Sequence, residues 1–304
     1  MNGDGEGHGA LPNWLFLAPP GANLRDVLGA EQTALEEAKA AGNRSAEAHR
    51  ALAIGDLFYR MGDARGAFDA FVLAMQLGAG DDTPEEDLAL EVQAAQAARR
   101  AGLVDEAETG LARALAHPLC EEAAATRAMV LTERALLRAA NGDAAAADAD
   151  LHAADAAARA ADDADAMMRV WRCVGEASLA LARPTDATAS FVRALEIAQD
   201  VGAPTGVAAS VAPAEVFATL VGMHAAGGAG DEVLLGALAL APEALREADA
   251  WWELPRLCAG FLRLAMQGYL GEPSLFGPAR LVAQAALQRE DCAAHAGGLR
   301  LIAE

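Results

Sequence analysis

Residues 48–79 read AHRALAIGDLFYRMGDARGAFDAFVLAMQLGA, and this stretch decides the fold class. Its apolar residues recur every three or four positions on both sides of Gly62-Asp63, so the spacing predicts two helices joined by a tight turn. We expect the first helix to end at Met61 and the second near Leu77. One such pair cannot bury its apolar face alone, so further pairs must stack on it.

The pattern of this stretch returns three more times, at a spacing of 40 residues. Each unit places small residues in its first helix and one large apolar residue in its second. The large residues, which we expect to wedge between neighbouring pairs, are Phe71, Leu111, Leu151 and Phe191. Four units in phase predict an all-α fold, a solenoid of stacked antiparallel helix pairs.

The repeating units resemble the tetratricopeptide repeat family. In the first unit the residues that carry the resemblance are Ala51, Ile54-Gly55, Phe58, Ala67, Phe71 and Ala74. In the fourth they are Trp171, Val174-Gly175, Ala187, Phe191 and Ala194. The family unit has about 34 residues, so the spacing here implies longer helices or linkers. The resemblance implies a right-handed α-solenoid with a concave groove that binds protein partners.

The composition agrees with helices and restricts the partners. Alanine is the commonest residue and aromatic residues make up 5%, which favours helices over sheets. The net charge is −21, so nucleic acid and anionic lipid are poor partners. The apolar stretch 11–18 is short and is broken by Pro12, and no lysine or arginine precedes Arg25. We therefore expect no export signal and no membrane span, but a cytoplasmic protein with reduced cysteines.

The chain divides into four regions by its pattern. These are a disordered or extended segment over 1–22, an N-terminal capping helix over 23–43, four repeats over 45–202, and divergent helix pairs over 204–304 that continue or cap the solenoid. Within the last region we expect helices over 205–225, 231–249, 251–270 and 275–290. Trp14 and Phe16 could pack on the first helix as a staple, or occupy a groove as an internal ligand. Trp251 and Trp252 present a choice between core packing and an exposed anchor.

Motifs for catalysis are absent from the sequence. There is no GxSxG elbow and no GxxxxGK[ST] loop, and the six histidines and four cysteines lie far apart. We therefore predict a protein that is not an enzyme and that has no metal site and no cofactor. An enzyme with a site in the divergent region 204–304 is the less favoured alternative.

In the tetratricopeptide family, the first helix of each pair lines the concave groove. By this analogy the candidate groove residues are His49, Asp56, Tyr59, Arg60, Gln93, Gln96, Arg99, Arg100, Arg169, Arg172 and Glu176. Arginine outnumbers acid in this set although acids outnumber bases 44 to 23 in the chain. Since the guanidinium group binds carboxylate through two points, the set suggests a ligand that is acidic or bears a carboxylate. Alternatively, these arginines pair with acids of neighbouring repeats or face water.

The functional hypothesis is an interaction scaffold or adaptor that holds a peptide or a partner helix in the groove. A second hypothesis is a regulatory sensor that binds a signalling peptide and acts on a separate output partner. Because repeat folds carry many functions, the fold class does not decide between them.

Overall fold

The computed structural model describes residues 22–80, 83–202, 212–227, 230–269 and 273–303. These ranges contain helices and no β-strand, which confirms the all-α fold class. Within them no helix is both long and apolar enough to cross a membrane. The predicted N-terminal segment, with Trp14 and Phe16, lies outside the described residues.

The first ten helices contain the repeating units. They are α1 (Leu24–Ala40), α2 (Arg44–Met61), α3 (Ala64–Leu77), α4 (Pro84–Arg100), α5 (Val104–Ala116), α6 (Pro118–Glu122), α7 (Ala124–Ala140), α8 (Ala144–Ala161), α9 (Ala164–Ala180) and α10 (Pro184–Gly202). The predicted pairs are α2–α3, α4–α5, α7–α8 and α9–α10, and the two helices of each pair pack on each other. Asn23 caps α1 through a side-chain oxygen that accepts from the amide of Arg25. The short helix α6, between the second and third pairs, was not predicted.

The remaining helices form the C-terminal half. They are α11 (Pro213–Ala225), α12 (Asp231–Ala244), α13 (Leu254–Met266), α14 (Pro273–Ala286) and α15 (Ala296–Ala303), with 3₁₀ helices at Ala248–Glu253 and Glu290–His295. We call the first of these 3₁₀ helices the inner helix. It contacts both α2 and α11.

All four pairs close through one hydrogen-bonded turn, repeated every 40 residues. The amide of the residue after the turn donates to the carbonyl five positions earlier, in the bonds Asp63 to Phe58, Leu103 to Ala98, Asp143 to Arg138 and Arg183 to Ser178. The residue before each donor has a positive φ, which favours glycine. Glycine is present in three turns, at Gly62, Gly102 and Gly142, whereas the fourth has Ala182 at φ +57°.

The close approach of the helices within a pair depends on matched small and large residues. A Cβ atom at Gly55 would lie 2.5 Å from the ring of Phe71, and one at Gly175 would lie 2.6 Å from the ring of Phe191. In the second and third pairs the equivalent residues are alanine and leucine, and each alanine packs in one cluster with its leucine, as Ala95 with Leu111 and Ala135 with Leu151. Glycine therefore stands opposite phenylalanine, and alanine opposite the smaller leucine.

The C-terminal half packs back against the beginning of the chain. Leu24 of α1 and Leu57 of α2 belong to the same buried cluster as Phe217, Trp251 and Phe261. The side chain of Gln288 accepts from the amide of Leu24 and donates to the carbonyl of Ala22. The described part of the C-terminal half therefore closes on the first helix pair.

The predicted helix over 231–249 was wrong at its end, because α12 stops at Ala244. The carbonyl of Leu245 accepts a 2.8 Å hydrogen bond from the indole of Trp251. In a longer helix this carbonyl would instead accept from a backbone amide four residues later. Trp251 is 1% exposed, so its burial directs the chain across the molecule as the inner helix. This crossing places acidic residues next to the predicted groove.

Candidate functional site

The predicted groove residues of α2, α4 and α9 face side chains from the C-terminal half. We call this region the inner polar surface; it consists of Tyr59, Arg60, Arg99, Arg100, Arg169, Arg172 and Glu176 with Glu215, Asp249, Trp252 and Glu253 opposite them. Most of the latter group lies on the inner helix, and Glu215 lies in the first turn of α11. The arginines therefore meet carboxylates of the chain itself.

Tyr59 is at the centre of the first contact group. Its hydroxyl donates to Oδ1 of Asp249 at 2.7 Å and accepts from Nε of Arg100 at 2.8 Å. The guanidinium group of Arg100 also lies 3.5 Å from Asp249. Burial raises the pKa of Tyr59 well above its usual value, so the hydroxyl remains a donor near neutral pH. The side chain of Asp249 is 52% exposed, which leaves this carboxylate open to solvent on one side.

Trp252 packs against three polar side chains of this surface. The guanidinium carbon of Arg100 lies 4.4 Å from the centre of its ring, and that of Arg289 lies 4.5 Å away. The ring of Tyr59 is tilted against it at 5.2 Å. Trp252 is half-buried whereas Trp251 is buried, so neither is a freely exposed anchor. Each guanidinium in such a position gains from the negative face of the ring.

Two arginines of α9 hold one carboxylate of α11. Nε of Arg172 lies 2.5 Å from one oxygen of Glu215, and Nε of Arg169 lies 2.9 Å from the other. Burial alone would raise the pKa of Glu215, but the two guanidinium groups outweigh it and hold the pKa at about 2. Each arginine contacts one oxygen of Glu215 through its Nε, so these two predicted groove residues pair with an acid of the chain itself, which was the alternative to a ligand in the sequence analysis.

Two further predicted residues form a buried ion pair. Nε of Arg60 donates to Asp56 at 2.8 Å, and both side chains are almost fully buried. A second nitrogen of Arg60 donates to the carbonyl of Arg246, close to the inner helix. Burial raises the pKa of Asp56, and the neighbouring Arg60 opposes that shift. The carbonyl of Arg60 in turn accepts from Arg289, which links α2 to the segment before α15.

The other charged residues of the set also have partners within the chain. Arg99 donates to Glu133 of α7 at 3.1 Å. Glu176 accepts from Arg256 at 2.5 Å, and Arg256 also reaches Glu253 at 3.3 Å. Burial and the charge of Glu176 raise the pKa of Glu253. The inner polar surface is therefore a connected set of charges.

Three predicted residues take other positions. His49 is exposed near the start of α2, and a ring nitrogen donates to the carbonyl of Ser45 at 2.7 Å. It lines a pocket of about 390 Å³ together with Asn43 and other residues of α2, among them Arg50, and no arginine of the inner polar surface lines this pocket. Gln93 and Gln96 are half-buried on α4, and Oε1 of Gln93 is buried without a hydrogen-bond partner among the described residues.

Glu247, which caps the inner helix, titrates near neutral pH. Burial raises its pKa to about 7, and the negative charges of Glu215 and Asp249 act in the same direction. Arg169 opposes them, while Asp165 adds to them. This carboxyl lies beside the inner polar surface, and its charge changes near physiological pH.

The chemistry available at this surface is recognition by charge. Cys173 lies among these arginines, but burial raises the pKa of its thiol to about 11, which leaves it protonated and unreactive. In the described ranges no group of three or more histidine, cysteine, aspartate or glutamate side chains could hold a metal ion. The surface holds carboxylates of the chain itself in fixed positions.

The sequence did not point to Glu215, Asp249 and Glu253 of this surface, nor to Arg256 and Arg289 beside it, and it left Trp252 open between core packing and an exposed anchor. The segment 247–253, EADAWWE, has three acids beside two tryptophans and no helical spacing of apolar residues. That departure from the surrounding pattern was the signal for a segment that crosses the molecule.

Comparison with known proteins finds similarity among solved structures. No protein-family model and no curated protein matches the chain. Among solved structures the chain is similar to the crystal structure of BtubC (BKLC) from P. vanneervenii, at 18% sequence identity and a TM-score of 0.48. The match covers 82% of this chain and 94% of that one.

Proposed function

We propose that this protein is an interaction scaffold whose inner polar surface recognises a carboxylate-bearing segment of a protein partner. The observation that carries the proposal is the contact of Arg169 and Arg172 with the two oxygens of Glu215. It supports recognition of carboxylate by this surface through charge-assisted hydrogen bonds from more than one arginine.

A partner has to compete with the carboxylates already present. Trp251 is buried and fixes the inner helix, so removal of the whole segment would expose a large apolar side chain. Asp249 is different, because its side chain is half exposed while it contacts Arg100 and Tyr59. A carboxylate from a partner can therefore replace that of Asp249 while Trp251 stays in place.

The groups on either side of Asp249 favour such an exchange. Arg169 remains 35% exposed although it contacts Glu215, so it can attract a second carboxylate. Burial raises the pKa of Glu247 to about 7, so part of this carboxyl is protonated near neutral pH. The protonated carboxyl carries no negative charge and does not repel an acidic ligand. We therefore place the point of entry between Arg100 and Arg169.

The test uses a fluorescein-labelled peptide, Glu-Ala-Asp-Ala-Ala-Glu, and fluorescence anisotropy. Asp249→Asn removes the internal competitor, and we expect it to strengthen binding by about fivefold, or about 1 kcal/mol. The matched control is Asp186→Asn, which removes the same charge from an exposed position on α10. Circular dichroism establishes that each variant is folded.

The second arm removes the recognising group. Arg100→Gln added to Asp249→Asn should abolish the gain, because the freed carboxylate site then lacks its cation. Equal binding by Asp249→Asn and Asp186→Asn would overturn the proposal, since a general change of net charge would then explain the result. A gain that survives Arg100→Gln would also overturn it.

A further inference from the structure

A cleft on another face of the repeats is open to solvent. It has a volume of about 420 Å³ and lies between α3, α4 and α5. The contribution of α4 is Glu91, Ala94 and Ala95, whereas Arg99 and Arg100 of the same helix belong to the inner polar surface. Every other residue that lines the cleft lies on α3 or α5, which contribute no residue to the inner polar surface, so the cleft is separate from that surface.

The floor of the cleft is apolar. Phe68, Val72 and Met75 of α3 line it at helical spacing, and each is only half-buried. Leu73 and Val104 are 39% and 36% exposed, and each is next in sequence to a residue that lines the cleft. The floor can therefore take up an apolar side chain of a ligand.

The absence of a side chain at Gly110 belongs to this cleft. A glycine inside a helix costs about 1 kcal/mol relative to alanine, and the equivalent positions of the other three units all have side chains, at Ala70, Asp150 and Ser190. A Cβ at Gly110 would lie 3.1 Å from that of Ala95. Glycine thus allows α5 to approach α4 closely and leaves the floor of the cleft unobstructed.

The rim of the cleft is acidic. Its charged residues are Glu91, Asp105, Glu106 and Arg113. Arg113 is paired with Glu91 at 2.5 Å, but Asp105 and Glu106 have no ion-pair partner among the described residues. Their position in the first turn of α5 suits their negative charge, but it does not account for the exposed apolar floor beside them.

We propose that this cleft is a docking site for a basic segment of a partner protein. An aliphatic side chain of that segment enters between Phe68, Val72 and Met75, and arginine or lysine residues on either side of it contact Asp105 and Glu106. The net charge of −21 adds long-range attraction for such a segment. This site binds cations, so it is distinct in chemistry from the inner polar surface and does not depend on the function proposed for it.

The probe is a fluorescein-labelled peptide, Arg-Arg-Leu-Leu-Arg-Arg, measured by anisotropy. The variant Asp105→Lys with Glu106→Lys should weaken its binding by at least about tenfold, which corresponds to about 1.4 kcal/mol. The matched control is Glu85→Lys with Glu86→Lys, which makes the same change of charge in the first turn of α4, where Glu85 is exposed and Glu86 is half-buried. We expect the control to weaken binding by less than about threefold.

A second peptide separates the apolar contact from the charges. Arg-Arg-Ser-Ser-Arg-Arg should bind the native protein at least about fivefold more weakly, because it cannot fill the apolar floor. Thr109→Trp, which places a large ring in the cleft without a change of charge, should weaken the leucine peptide and not the serine peptide. Equal losses in both lysine variants, or equal binding of both peptides, would overturn the proposal.

Discussion

The hydroxyl group of Tyr59 donates a hydrogen bond to Asp249, 190 positions further along the chain, and accepts one from Arg100. Tyr59 belongs to the first helix pair, Arg100 to the second, and Asp249 to the inner helix. One hydroxyl therefore joins three parts of the chain that are remote in sequence. Its contribution to stability can be separated from that of the surrounding burial.

Tyr59→Phe keeps the ring against Trp252 and removes the hydroxyl. We expect the free energy of unfolding to fall by about 1 to 2 kcal/mol, because Arg100 and Asp249 each lose a partner. Urea unfolding followed by circular dichroism measures the change. The same substitution at the exposed Tyr269 should change stability by less than about 0.5 kcal/mol.

A double-mutant cycle with Asp249→Asn tests whether the two groups act together. The two single changes and the double change should show a coupling of at least about 0.5 kcal/mol. Strict additivity would contradict the contact as a source of stability.

Glu247 gives a prediction about pH. In the folded protein its pKa is about 7, against an ordinary value of 4.5, so folding binds a proton between these values. The stability that this group contributes is present below about pH 4.5 and is lost as the pH rises through about 7. The native protein should therefore lose about 2 to 3 kcal/mol between about pH 5 and about pH 8 relative to Glu247→Gln.

Urea unfolding at several pH values measures this difference for the two proteins. The control is Glu243→Gln, an exposed residue in the last turn of α12 whose carboxylate faces Arg246. It should leave the pH dependence of the native protein unchanged. If the free energies of unfolding of the native protein and of Glu247→Gln differed by the same amount at every pH, the raised pKa of Glu247 would be disproved.

The fourth turn of the repeats offers a stabilising change. Ala182 has φ +57°, in the left-handed region that costs a residue with a Cβ about 1 kcal/mol, while the equivalent residues are Gly62, Gly102 and Gly142. Ala182→Gly should raise the free energy of unfolding by about 0.5 kcal/mol or more, after the greater freedom of glycine in the unfolded chain is subtracted. A fall in melting temperature would contradict the positive φ.

Ala189→Gly is the matched control for that variant. Ala189 is exposed inside α10, where glycine should lower stability by about 1 kcal/mol. Replacement of alanine by glycine is thus expected to raise the free energy of unfolding at position 182 and to lower it at position 189.

The repeating helix pairs could be predicted from the sequence because their causes are local. Gly62-Asp63 specifies the turn, and the spacing around it specifies α2 and α3, whose ends at Met61 and Leu77 are those predicted. Each later pair repeats the same local information. The all-α fold class follows from residues that are close in sequence.

For the inner polar surface, the sequence predicted the residues that the repeats contribute but not those of the C-terminal half. The arginines of α4 and α9 follow from the repeat register, but Asp249 reaches them only because Trp251 is buried and α12 stops at Ala244. The end of α12 depends on the hydrogen bond from the indole of Trp251 to the carbonyl of Leu245, and the six residues from one to the other do not continue the α-helix. The helical period contains no information about such a contact, so the internal carboxylates were not foreseen.

Matched residue sizes within the helix pairs give the last prediction. Gly55→Ala should lower the free energy of unfolding by about 1 to 3 kcal/mol, because the new methyl group meets the ring of Phe71 at 2.5 Å. This loss outweighs the gain of about 1 kcal/mol in helix propensity. Gly29→Ala isolates that gain, since no atom lies within 4 Å of the new Cβ, and it should be stabilising.

Phe71→Leu is expected to rescue Gly55→Ala, because the double variant has the alanine and leucine that pack together as Ala95 and Leu111 in the next pair. Alone, Phe71→Leu should cost about 1 kcal/mol or more, since it leaves a space opposite glycine. The double variant should therefore be more stable than the sum of the single changes predicts, by at least about 1 kcal/mol. Additive losses would mean that the alternation of glycine with phenylalanine and alanine with leucine does not arise from packing within the pair.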